Sequence, residues 1–170
     1  MRLSYFILIP FLAAAACSTP GGKNLGANGW TDDFGQAGFD AAIGAESDPT
    51  SIAFFQKSVG DRVYFNVDEF TLNKDSKAAL DIQAQWLKEN PTYLAVIEGH
   101  ADEQGTREYN LALGFRRARS VQEYLVAKGV SLLRLKTLSF GKERPAEICS
   151  SERCYSKNRR VVSILNAGTR

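Results

Sequence analysis

Apolar positions recur with two periods along this chain, and the alternation between them sets out the elements. Arg62 to Val67 (RVYFNV) has the aromatic and β-branched content of a strand, and so do Tyr93 to Glu98, Leu135 to Phe140 and Arg160 to Leu165. Asn73 to Asn90 reads as a long helix, with Asn73 as N-cap, Asp75 in the first turn and Asn90-Pro91 as the stop. Thr106 to Lys128 reads as a second helix that Gly129 closes, with Leu111, Phe115, Ala118 and Leu125 expected on its buried stripe. Thr50 to Ser58 is expected to form a short leading helix. The order strand, helix, strand, helix, strand, strand with right-handed crossovers predicts an α/β fold, a two-layer sandwich whose helices cover one face of a mixed sheet.

Two stretches before this domain lack either period. Met1-Arg2 and the apolar run Leu3 to Ala16, broken only by Ser4 and Tyr5, read as a secretory signal too short for a stable transmembrane helix. Cys17 follows four alanines, an arrangement that resembles the lipobox of bacterial lipoproteins, although Ala14 stands where that pattern favours leucine. The resemblance implies cleavage before Cys17 and acylation of its sulfur and amine, and Ser18, in place of Asp, implies sorting to the outer membrane. Ser18 to about Asp48 holds half of the 14 glycines and no sustained period, as expected of a flexible tether. A coil of about 30 residues spans roughly 30 Å on average and about 100 Å when extended. Trp30, Phe34 and Phe39 are unusual for a pure spacer, and docking on the domain or on a partner stays open for them. The expected organisation is residues 1–16 as signal, 17–49 as acylated cysteine and tether, and 50–170 as the domain.

Composition narrows the partners. The chain has 170 residues, 44% hydrophobic and 24% charged, which suits one globular domain with extensions. Its 21 basic and 19 acidic residues nearly balance at +2, which gives no footprint for nucleic acid.

The chemistry concentrates in Glu98 to Val121. An apolar run, Leu94 to Ile97, ends in Gly99, His100, Ala101 and Asp102, turns at Gly105 and enters the second helix. Asn110, Leu113 and Arg117 follow at intervals of three and four, so they share one helix face, while Asp102 sits on the loop leading in. Such an exposed carboxylate and guanidinium, bordering one groove, would suit a zwitterionic ligand.

The motifs VYFNVDEFTL (Val63 to Leu72), EGHADEQGTREYN (Glu98 to Asn110), LGFRRARSV (Leu113 to Val121), SFGKERP (Ser139 to Pro145) and YSKNRRV (Tyr155 to Val161) fall in order across roughly the last 110 residues. Together they resemble the peptidoglycan-binding domain of the OmpA-like family, in its lipoprotein branch. The resemblance implies a non-catalytic protein without cofactor or metal that holds the diaminopimelate of the peptidoglycan stem peptide. Arg117, directly before Ala118, would clamp a carboxylate, and Asp102 would take an ammonium. The Thr106 helix start would offer N–H groups to an anion. Asp68, Phe70 and Leu113 would shape the groove beside Asn110. It also implies the β-propeller protein TolB as a partner, a lipid anchor in the outer membrane, and a domain in the periplasm.

On the residues alone, plainer readings stand beside these. Arg117 is one base in a run with Arg116 and Arg119; Asn110 is a turn stabiliser; Asp68 and Phe70 are a turn and a core aromatic. Leu113 is core edge or groove wall, and Asn158-Arg159-Arg160 fixes the start of the last strand. Cys149 and Cys154, in the polar CSSERC between two strands, are expected to form a disulfide, with free thiols or a metal as alternatives; the chain's one histidine argues against metal. Acid-base chemistry at Glu98, His100, Asp102 and Glu103 lacks a facing pair of carboxylates, because strand alternation puts Glu98 and His100 on one side. His100 is expected as a hydrogen-bonded structural histidine. The alternative function is an envelope assembly lipoprotein without peptidoglycan affinity.

Overall fold

The computed structural model describes residues 44–167. Cys17, the expected tether aromatics and residues 168–170 lie outside them. The chain opens with α1 (Ile52–Phe54), which runs on as one wider turn over Phe55–Gly60, then β1 (Arg62–Tyr64), α2 (Lys74–Glu89), β2 (Tyr93–His100) and α3 (Arg107–Ala127). A single 3-10 turn, Leu132–Arg134, leads to β3 (Leu135–Gly141), α4 (Glu152–Asn158) and β4 (Arg160–Ala167). The sheet order is β1-β4-β2-β3, with β2 parallel to β3 and antiparallel to β4, and β4 antiparallel to β1. The expected mixed sheet is therefore present, and its last strand inserts between the first two.

Local chemistry explains the element ends. Asn73 caps α2 by accepting from Ser76 N at 2.8 Å, and Thr106 caps α3 by accepting from Tyr109 N at 3.2 Å. Trp86 on α2 donates to Pro49 O at 2.8 Å, tying the segment before α1 onto the helix. Between sheet and helices lie Phe55, Val63, Leu80, Leu87, Ile97, Val121, Leu125 and Val161, all deeply buried. Each contributes roughly 1.5 to 3 kcal/mol of burial.

Four expectations need correction. Strand β1 stops at Tyr64, not Val67. One more backbone bond follows, Phe65 N to Arg159 O at 2.9 Å, and the next two carbonyls then turn to guanidiniums, Phe65 O to Arg159 Nε at 3.2 Å and Asn66 O to Arg117 Nη2 at 3.0 Å, where the strand ends. Leu111 and Phe115 are 48% and 45% exposed, whereas the buried face of α3 carries Asn110, Leu113, Gly114, Arg117, Ala118, Val121 and Leu125. The cause is a close approach at Gly114: a Cβ built on Gly99 of β2 would lie 1.8 Å from the Gly114 carbonyl oxygen. That contact sets the helix rotation, and residues 111 and 115, about 60° and 100° from Gly114 around the axis and on the same side of it, fall at the edge of the sheet-facing surface. The CSSERC segment is not simply a loop, since Glu152 begins helix α4, whose Asn158 accepts from Ala146 N at 2.7 Å and Glu147 N at 3.0 Å. Finally, His100 is 98% buried yet neither ring nitrogen has a hydrogen-bond partner, so the hydrogen-bonded histidine is not what folds.

Candidate functional site

At the C-terminal end of β2 the chain turns into α3, and a pocket of about 220 Å³ opens beside that turn. Its lining brings together Asp68, Asp102, Asn110, Leu113 and Arg117 from the expected set, with Val67, Gln104, Gly105 and Tyr109 added. Phe70 and Thr106 stand outside it. Phe70 is exposed, with the Arg116 guanidinium 5.3 Å above its ring, and Thr106 acts as the cap of α3.

Arg117 is fully buried, which corrects the expectation of an exposed pair. Its Nε donates to Glu69 O at 2.7 Å, Nη1 to His100 O at 2.9 Å and Nη2 to Asn66 O at 3.0 Å. A guanidinium has five N–H donors, so this grip on three carbonyls leaves one N–H on each terminal nitrogen. Burial lowers the Arg117 pKa to about 10, with the nearby Asp102 charge opposing the fall, and the group stays cationic at neutral pH.

Asp102 pairs with Arg159 and not with Arg117. Arg159 Nη1 reaches Asp102 Oδ2 at 3.1 Å with both side chains almost wholly buried, and its other terminal nitrogen bonds Glu152 on α4. The second Asp102 oxygen accepts from Gln104 N at 3.2 Å, which shapes the turn. Asn110 Nδ2 donates to Gln104 O at 2.8 Å and so holds the same turn from the helix side. Asp68 sits at φ 57°, a left-handed conformation that aspartate tolerates, and its carboxylate accepts from the Tyr109 hydroxyl. Two carboxylates and one guanidinium thus converge on one small opening. Both signs of charge therefore border the opening, with Asp102 held by Arg159 and Arg117 held by three carbonyls.

A family model described as the OmpA family matches residues 64–159. The chain belongs to the OmpA family. Among its relatives, a peptidoglycan-associated lipoprotein of Mesorhizobium japonicum is 45% identical over 159 residues, 94% of this chain and 89% of the relative. Another of that description, from Rhizobium meliloti, is 46% identical over 93% of this chain and 84% of its own length. The crystal structure of the peptidoglycan-associated lipoprotein from Burkholderia pseudomallei superposes with a TM-score of 0.63 at 35% identity, covering 71% of this chain and 98% of that one. Within the OmpA family the chain therefore groups with the peptidoglycan-associated lipoproteins. Proteins of this kind are not catalysts, and no reaction is assigned to Glu98, His100 or Glu103.

Two further partners of the OmpA-family site were only partly visible in the sequence. Tyr109 lies next to Asn110 in the quoted motif, where nothing in the spacing singles it out. Arg159 was read as fixing the start of the last strand, and its pairing with Asp102 spans 57 residues. Cys149 and Cys154 are joined, with Cα atoms 5.8 Å apart, so that the loop leading into α4 is tied to the helix itself.

Proposed function

We propose that the chain is a non-catalytic outer-membrane lipoprotein, anchored through acylated Cys17, that binds peptidoglycan at the pocket beside Asp102. The observation carrying this reading is the convergence of Asp68, Asp102 and Arg117 on one opening, with two Arg117 N–H groups unused by the fold. Those two donors match the two oxygens of a carboxylate in a bidentate fork. The aspartates match an ammonium on the same ligand carbon. Diaminopimelate in the stem peptide presents that pair of charges, and Leu113 and Val67 flank it with apolar surface. Placing both charges against partners matters, because an unpaired charge in such a site costs several kcal/mol.

Membership in the Tol-Pal system, contact with TolB and a role in drawing the outer membrane inward at division belong to the same proposal and rest on the family. The relatives' description as peptidoglycan-associated lipoproteins supports the wall contact itself.

Sedimentation with purified sacculi tests the reading. The chain is expected to pellet saturably and to release no soluble fragments. Asp102→Asn and Asp68→Asn, which keep shape and remove charge, are each expected to weaken pelleting several-fold to a hundredfold, about 1 to 3 kcal/mol. Pelleting of both variants at wild-type affinity sinks the assignment. Failure of the wild type to pellet shifts the function to a protein partner.

A further inference from the structure

The sheet's other face carries no long helix, and near the end of β2 it holds a second pocket, of about 380 Å³, which shares no residue with the first. Arg62 of β1, Arg160 of β4 and Arg144 of the loop after β3 line it, together with Glu98, His100, Pro145 and Val162. Strand register brings them together: Val162 pairs with both Arg62 and Glu98, and Arg160 sits two residues along on the same face. Arg144 lies 3.8 Å over the Phe140 ring, and Phe140 stacks in turn on His100 with centroids 5.6 Å apart. Two guanidiniums and an imidazole are thereby held at fixed positions around the cavity.

Charge there is out of balance. Among the described residues Arg62 pairs only with its neighbour Asp61, and Arg144 and Arg160 form no ion pair. Arg160 is buried and spends its donors on two backbone carbonyls, Arg144 O at 3.2 Å and Asn158 O at 3.5 Å. Glu98, the pocket's one carboxylate, approaches His100 Nε2 at 3.8 Å and none of the arginines within ion-pair distance. His100 lines the cavity with both ring nitrogens unpartnered. Buried polar groups in this state normally find a partner, and the ring that lacks one lies in the wall of this cavity.

We propose that this pocket is an oxyanion site that takes a phosphomonoester. With His100 neutral, three guanidiniums stand against the carboxylates of Glu98 and Asp61, a surplus of one positive charge that favours an anion, and a phosphomonoester offers three terminal oxygens to the arginines where a diester offers two. Arginine forks match phosphate oxygens bidentately, and the His100 ring behind them reports on an anion held there. The volume lies within the usual range for small-molecule sites. Inorganic phosphate and an organic monoester share this chemistry, and the test separates them.

The full chain in neutral detergent is titrated with inorganic phosphate, glycerol 3-phosphate and the diester glycerophosphoglycerol, with chloride at matched ionic strength. NMR follows the His100 ring and the arginine Nε resonances. Saturable shifts with phosphate or the monoester, at least about tenfold weaker with the diester, are expected. Preference for glycerol 3-phosphate identifies an organic monoester, and preference for phosphate identifies the free ion. Arg62→Gln and Arg144→Gln, both at exposed positions, are each expected to weaken binding about three- to tenfold while sacculus pelleting is unchanged. Absence of saturable shifts, equal shifts with chloride, or shifts that survive in the double variant overturn the proposal.

Discussion

Arg117 serves the fold before it serves any ligand. Three carbonyls, two from the loop at Asn66 and Glu69 and one from the strand end at His100, depend on one guanidinium, so the loop after β1 and the end of β2 are joined through it. Arg117→Lys keeps the charge but cannot reach three acceptors in a planar fork, and it is expected to lower unfolding stability by about 1 to 3 kcal/mol, read from the urea midpoint. An unchanged midpoint would show the three bonds to be dispensable. His100 gives a second test at this scale. Its buried ring is held neutral, with its pKa pushed down to about 4 by burial and by Arg160 and Arg144, while the unfolded imidazole ionises near 6.5. As pH falls from 6.5 towards 4, the unfolded chain takes up the proton first, so this contribution is intact above 6.5 and lost below. The loss amounts to roughly 2 to 3 kcal/mol. Comparing urea midpoints of wild type and His100→Phe at pH 7 and pH 4.5 isolates it. The variant is expected to lose less stability on acidification, and equal losses contradict the buried neutral ring.

Helix α3 meets the sheet through two glycines, and this contact sets what each face of the helix does. A Cβ on Gly114 would stand 2.4 Å from Ser139 Oγ and 2.8 Å from Gly99 O, whereas one on Gly99 would stand 1.8 Å from the Gly114 carbonyl oxygen. The serine hydroxyl can rotate away, but the backbone oxygen cannot. Gly99→Ala is therefore expected to cost at least about 3 kcal/mol, and Gly114→Ala less, since alanine also favours a helix by about 1 kcal/mol. Urea titrations of the two variants check the order, and the reverse order would place the tight contact elsewhere. Such a contact also explains what the sequence could and could not disclose. The cap at Asn73, the helix start at Thr106, the strand interiors and the shared face of Asn110, Leu113 and Arg117 follow from neighbours within four residues, and all are found. The buried stripe of α3 was misassigned because hydrophobicity pointed to Leu111 and Phe115, while the packed face carries a glycine, an amide and a guanidinium. Arg159 with Asp102, and the end of β1, depend on partners far along the chain, which no local pattern encodes.

At the scale of the whole molecule, the proposed function separates two attachments: acyl chains at Cys17 and a small charged pocket at the far end of the domain from β2's first residue, Tyr93. A pocket of about 220 Å³ with one bidentate contact is suited to a modest grip on each stem peptide. Many copies fixed in one membrane act differently, because once one is bound its neighbours face the wall at high effective concentration. The lipidated chain displayed at many copies on vesicles is therefore expected to hold sacculi with an apparent affinity about 100-fold or more above that of the soluble Cys17→Ala chain. Co-sedimentation over a range of surface densities provides the measurement, with Asp102→Asn vesicles as the control for adhesion by lipid alone. If the gain falls away as copies are diluted in the membrane, the linkage is multivalent. If vesicle-bound and soluble chains pellet alike at every density, each pocket must bind tightly by itself, and the weak-grip view of this anchor is wrong.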